Sequence, residues 1–197
     1  MKFTKTLLAG SLLLASGLAV AETDWIVRAG FSVVAPDSNN HPIVSVEDAT
    51  SFTFTLGRMM TQHIELEVLA AWPFEHDIKL VGGPKVGSTQ HLPPTVSLNY
   101  HFMPEAKFDP YLGAGLNYTF FWDEKTQGAL DGTRLSLGDS FGLALQAGVD
   151  FNLSNNWLIN GSIRYIDLST KAKLDGLSIG HVNIDPIVYS LNIGKRF

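Results

Sequence analysis

Ser97 and His101, four residues apart, and the histidines His41, His63, His76, His91 and His181 are the side chains of this 197-residue chain best suited to chemistry. A serine beside a histidine is half of an acyl-transfer triad, and clustered imidazoles are metal ligands. Neither pattern develops. No two histidines stand three or four residues apart, the spacing that brings two rings on one helix face to a single ion. A chain with this many Ser and His residues offers pairs such as Ser97 and His101 without any triad geometry. No nucleophile elbow, a strained strand-to-helix turn, is expected. Gly113 and Gly115 stand in a strand-like run with no helix after them, so they do not form a phosphate loop. The chain lacks cysteine, which removes thiol catalysis, disulfides and cysteine-bound zinc. The expectation is a protein with no catalytic centre, no metal and no cofactor.

A second set of ionisable residues is more informative. Arg28, Glu65, Glu67, His101, Asp150, Arg164 and Arg196 fall in stretches where apolar residues occupy every second position, and they take the alternate, non-apolar phase. What positions them is therefore a set of β-strands. Trp25, Val27, Ala29, Phe31 and Val33 alternate with Ile26, Arg28, Gly30 and Ser32, and similar runs cover 51–56, 64–72, 95–102, 112–120, 141–151, 157–165 and 187–197. Eight strands result. Short connections (57–62, 103–109, 152–156) alternate with long ones (34–50, 74–91, 123–139, 167–182) that hold most of the Asp, Lys, Gly and Pro. Short turns on one side and long loops on the other are the pattern of an outer-membrane barrel.

Composition agrees. Charged residues make up 17% of the chain and aromatics 11%, with a mean hydropathy of +0.11, so the chain is too apolar for disorder and low in charge for a soluble domain. A net charge of −5 argues against nucleic acid as a partner. Lys2 and Lys5 precede an uncharged run from Thr6 to Val20 that ends on Ala19-Val20-Ala21, which reads as a secretory signal peptide over residues 1–21. The folded unit is then a single domain over residues 22–197.

A soluble sandwich or lipocalin-like barrel also alternates by twos. The non-apolar phase decides between them. In a soluble barrel it faces water and is rich in Lys and Glu, whereas here it is Gly, Ser, Thr and Asn, small enough for a narrow interior. Aromatics near strand ends (Trp25, Trp72, Phe74, Tyr100, Phe102, Trp122, Trp157, Tyr165) fit interfacial girdles. Phe197 closes the last alternating strand, as is common in chains that the outer-membrane assembly machinery inserts. The reading is an eight-stranded antiparallel transmembrane β-barrel of the bacterial outer membrane, in contact with its lipid bilayer.

Several runs together, Trp25-Ile26-Val27-Arg28-Ala29-Gly30, Leu92-Pro93-Pro94-Thr95, Pro110-Tyr111-Leu112-Gly113-Ala114-Gly115-Leu116-Asn117-Tyr118-Thr119, Ser140-Phe141-Gly142-Leu143-Ala144, Arg164-Tyr165-Ile166-Asp167 and Asp185-Pro186, resemble the outer membrane protein W family. The resemblance covers nearly the whole of residues 22–197. It implies an eight-stranded monomer that passes small hydrophobic molecules through a narrow apolar channel opening sideways into the bilayer.

Parity along the strands adds three expectations. Arg28, Glu65, Glu67, Asp150, Arg164 and Arg196 face inward as a charge network, since lone charges facing hydrocarbon are costly; they either plug the lower lumen or border a conducting path. Leu69, Ala71, Phe121 and Ile166, toward the long-loop end of the same face, either line an apolar funnel or pack against the loops. Pro73 faces Pro93 and Pro94 across the second long loop, and each lacks an N–H, so ladder bonds are missing there. That spot is either a sideways notch for an apolar solute or merely where strands end. The functional expectation is passive passage of small hydrophobic solutes, against the alternative of a non-conducting structural or receptor barrel with ligand-binding loops.

Overall fold

The computed structural model describes residues 24–37 and 44–197; the signal-peptide reading and His41 lie outside the described residues. In chain order the strands are β1 (Trp25–Ala35), β2 (Val44–Val46), β3 (Ala49–Met59), β4 (Ile64–Ala71), β5 (Phe74–Leu80), β6 (Lys85–Leu92), β7 (Thr95–His101), β8 (Phe108–Thr126), β9 (Leu135–Leu137), β10 (Ser140–Asn152), β11 (Trp157–Ile166), β12 (Ser169–Leu174), β13 (Leu177–Asn183) and β14 (Ile187–Arg196). Eight of them form a closed antiparallel barrel in the order β1-β3-β4-β7-β8-β10-β11-β14, with β14 pairing back onto β1. These eight are the alternating runs of the sequence. Closure leaves the barrel no free edge, as strands in hydrocarbon require.

Orientation follows the parity. Phe31 is 64% exposed, Phe141 68% and Leu191 67%, while the inward-facing Ser32, Asn99, Thr119 and Asp150 are at most 1% exposed. A belt of large exposed apolar side chains this continuous suits lipid and would be a liability in water. At the short-turn end the belt finishes in Trp25, Phe151, Trp157 and Phe197, with cations stacked on their rings: Arg58 over Trp25, Lys107 over Phe151, and Lys195 over both Trp157 and Phe197. An aromatic body with a cation above it is what the wet side of a bilayer boundary favours.

One aromatic assigned to the girdle is not there. Phe74 is 1% exposed and packs inward with Val34, Ala49, Ile166 and Val188. The cause is Pro73, which interrupts the strand, so that β4 ends at Ala71 and β5 starts a new parity at Phe74. Beyond this point the pattern inverts. Along β5, Phe74, His76, Ile78 and Leu80 alternate with Glu75, Asp77 and Lys79, and here the apolar phase faces in. Outside the bilayer the outer face meets water, so charged residues take the side that lipid-facing residues held below.

The long connections thus build their own structure. β5 and β6 form a hairpin whose second strand pairs with the upper part of β8, and β2 adds to β5. Opposite them β9, β12 and β13 make a separate three-stranded sheet.

Candidate functional site

The inward charges come together at the short-turn end. Arg28 Nη2 and Nε donate to Asp150 Oδ2 and Oδ1 at 2.7 and 3.1 Å, and its Nη1 donates to Glu65 Oε1 at 2.7 Å and to Glu67 Oε2 at 3.4 Å. Arg164 Nη2 reaches the other oxygen of Glu67 at 2.9 Å, and Arg196 Nη2 lies 3.3 Å from both Asp109 and Asp150. His101 bridges Glu65 and Asp109 at 3.0 and 2.7 Å. All six residues expected in the charge network are in one cluster. Glycine makes the room: a Cβ at Gly57 would lie 1.7 Å from Glu65 Oε1.

Sequence reasoning missed part of this cluster. The alternation ends short of Asp109 and leaves it in the 103–109 connection, yet β8 begins at Phe108 and turns it inward, fully buried. Asn99, Gln146 and Asn160 bond to Glu65, Glu67 and Asp150 at 3.0, 3.1 and 2.8 Å, supplying donors that three arginines cannot. Strand parity marks all three as inward, and a buried carboxylate needs just such partners. His101, Asp109 and Asp150 have atoms close enough to hold a cation, but Arg28 and Arg196 already occupy the carboxylates.

Above the charges lies a layer of hydroxyls and amides. Ser32 Oγ is 2.7 Å from both Thr53 and Ser190, and Thr119 donates to Asn117 at 2.7 Å. The next layer is apolar: Val34, Ala49, Phe74, Ala144, Ile166, Leu168 and Val188, with Ala71 and Phe121 against it. Above that, between the β5–β6 hairpin and the three-stranded sheet, opens a cavity of about 320 Å³. Its walls are aliphatic, with Val44, Ile78, Leu137, Leu168 and Ala172 among them, and its few polar side chains are His76, His91, Thr89 and Thr170.

The four residues expected at the funnel divide. Phe121 lines the cavity; Ile166 and Ala71 belong to the apolar layer under it; Leu69 is buried one step lower, opposite Thr95. Most of the wall comes from the long loops. The signal was in the sequence, as the inverted alternation of 74–80 and of Thr170, Ala172 and Leu174 against Lys171 and Lys173.

The prolines mark a break in the hydrogen-bond ladder. The β4–β7 ladder stops at Leu69 opposite Thr95, and the β5–β6 ladder starts at Phe74 opposite His91, so 70–73 and 92–94 face one another unpaired. Each side stays tied to its other neighbour, Trp72 N to Phe52 O at 2.7 Å and Tyr118 N to Pro94 O at 3.1 Å. From inside, Thr95 Oγ1 donates to Pro93 O at 3.0 Å, and Asn117 Nδ2 donates to Pro93 O and Pro94 O at 3.2 and 3.3 Å. Ser51 Oγ does the same for Trp72 O at 2.9 Å. These side chains satisfy the carbonyls that a missing ladder would strand in a bilayer.

Among the described residues, Ser97 and His101 do not complete a catalytic triad. Ser97 and His101 are both buried, but His101 is engaged with two carboxylates. Gly176-Leu177-Ser178-Ile179-Gly180 spells the letters of a nucleophile elbow, but it forms the turn into the exposed strand β13 and no helix follows.

Residues 21–197 match the family described as the OmpW family. Outer membrane protein W of Vibrio cholerae serotype O1 is 40% identical over 195 residues, covering 89% of each chain. Outer membrane protein W of Escherichia coli K12 is 37% identical over 214 residues, covering all of this chain and 99% of that one. The crystal structure of the outer membrane protein OprG from Pseudomonas aeruginosa superposes with a TM-score of 0.79 at 33% identity, covering 89% of this chain and 96% of that one. A closed eight-stranded barrel with an apolar belt, matched to these relatives, is an outer-membrane protein, and the chain belongs to the OmpW family.

Proposed function

We propose that this barrel is a passive entry route for small hydrophobic molecules across the outer membrane. The carrying observation is the cavity of about 320 Å³ at the loop end, walled by aliphatic side chains and separated from the short-turn end by the ionic cluster. An apolar solute loses nothing by leaving water for such a wall. It gains nothing from the charges beneath, which are already paired.

The exit is then sideways, through the gap bounded by Pro73, Pro93 and Pro94 and into the bilayer. Leu69, Ala71, Phe121 and Ile166 form the apolar face between cavity and gap, while Arg28, Glu65, Glu67, Asp150, Arg164 and Arg196 close the lower lumen. The protein works as a monomer, without cofactor, energy source or catalysis. The strand ending in Phe197 is the segment that the outer-membrane assembly machinery engages.

The same ionic cluster favours a second function, a non-conducting barrel whose loops bind a partner. Vesicles with lipopolysaccharide in the outer leaflet distinguish the two. Purified protein reconstituted there speeds the entry of an apolar dye several-fold over protein-free vesicles if solutes pass; equal rates with and without protein would leave only the second function.

A further inference from the structure

Two imidazoles are out of place in the aliphatic cavity. His76 on β5 and His91 on β6 stack with ring centroids 4.9 Å apart, and His91 also stacks on Phe74 at 5.3 Å. Both line the cavity, and both are at most 5% exposed. They lie above the apolar belt, and burial pulls each below the ordinary histidine range, His91 to about 3, so both rings are neutral at neutral pH.

Hydrogen bonding fixes one tautomer. His76 Nδ1 is bonded to the Glu47 carbonyl, which only accepts, so Nδ1 carries the proton and Nε2 is left as a bare acceptor. Among the described residues His76 Nε2 has no partner, and neither nitrogen of His91 has one; His91 Nδ1 is fully enclosed. Neutral His91 has one N–H to give and one lone pair to fill. A buried pair offering both an unmet donor and an unmet acceptor is a recognition element awaiting a ligand that supplies both.

Resting on the reading of the cavity as the solute's lodging place, we propose that His76 and His91 make it selective for apolar chains that end in a hydroxyl. Long-chain alcohols and undissociated carboxylic acids are the class. Such a group donates to His76 Nε2 and accepts from His91 Nε2–H, since His91 Nδ1 is enclosed. A hydrocarbon meets neither need, and an ester or ketone, which only accepts, leaves His76 unmet. The position is apt, because the Phe74–His91 pair is the first rung above the gap, so the selected end is held where the solute would leave.

The test uses the full chain in phosphatidylcholine nanodiscs, labelled with ¹⁵N-histidine, with 1-decanol and n-decane as probes. Decanol is expected to shift the ring nitrogens of His76 and His91, and to displace bound ¹³C-decane at about a tenfold lower mole fraction than unlabelled decane does. In the double variant His76→Phe with His91→Phe, which keeps the ring stack, decane still binds and the decanol preference disappears. His91→Asn, which keeps a donor and an acceptor, retains much of it. Heat-dependent gel migration verifies that each variant is a folded barrel. Equal binding of the two probes to the native protein, or a preference that survives the double variant, overturns the proposal. Failure of both probes to bind overturns the entry-route function and this selectivity with it.

Discussion

Arg28 and Asp150 form a two-pronged ion pair, with contacts of 2.7 and 3.1 Å, across 122 residues of chain. Arg28 is 1% exposed and also touches Glu65 and Glu67. One guanidinium therefore joins β1, β4 and β10 through the lumen. Replacing Arg28 with Ala leaves buried Glu65 and Asp150 short of their main counter-ion, while Glu67 keeps Arg164, and breaking such a pair from one side costs about 3–5 kcal/mol. Urea unfolding in vesicles is expected to show that loss; a change under about 1 kcal/mol would mean that water reaches the cluster freely.

Glycine positions supply a paired prediction. A Cβ at Gly148 would sit 2.4 Å from the Tyr111 ring, which is 2% exposed and bonded to Asn160 at 3.0 Å, while a Cβ at Gly161 meets nothing within 4 Å. Gly148→Ala should destabilise by about 1–3 kcal/mol as the ring is displaced. Gly161→Ala should be neutral or slightly stabilising, because alanine loses less chain entropy on folding. Equal effects in the same unfolding assay would contradict the packing described for Tyr111.

Acid should loosen the loop-end structure before the barrel. Burial first, then the neighbouring His76, pulls His91 down to about 3, and burial lowers His76 although the bond to the Glu47 carbonyl, then Asp48 and Asp77, pull it back up. In an unfolded cap both rings would titrate near 6.5. The ordered cap thus binds fewer protons than the disordered one between those values, and its stability is complete above about pH 6.5 and falls as pH drops toward 3. Protection factors of β5 and β6 amides, taken relative to the intrinsic exchange rate at each pH, should fall between pH 7 and 4.5, and His91→Phe should flatten that dependence.

The barrel was legible because a bilayer imposes one rule on every strand. Phe31 and Phe141 had to face out and Arg28 and Asp150 in, so period-two alternation carried both the strands and their orientation. The cavity was less legible because the same alternation changes meaning above the membrane. Phe74, His76, Ile78 and Leu80 follow the strand period, but which face they present depends on whether water or lipid lies outside, and Pro73 hides the switch. Asp109 was lost to a boundary shift of a few residues. The pairing of Asn117 and Thr95 with the carbonyls of Pro93 and Pro94 depends on three-dimensional register, which no local pattern encodes.

The gap can be closed by restoring its donors. Replacing Pro93 with Thr and Pro94 with Val returns two N–H groups to the stretch facing 70–73, where β4 and β7 are unpaired. If solutes leave sideways there, uptake of an apolar dye should fall while barrel folding, read by gel migration, is kept. Unchanged uptake in a folded variant would reject the notch and leave these prolines as strand ends.

Filling the cavity separates its role from that of the gap. Ala172 on β12 is 2% exposed, lines the cavity, and belongs to the three-stranded sheet outside the barrel. Ala172→Phe puts a phenyl ring into a space of about 320 Å³, so its bulk displaces solute and not the barrel wall. Overpacking of about 1–3 kcal/mol, where it occurs, falls on the loop-end sheet. Apolar dye entry should slow by about tenfold while urea unfolding of the barrel is unchanged. Entry at the native rate would show that solute reaches the bilayer without lodging in the cavity, and the ionic cluster would then sit beneath a space used for something else.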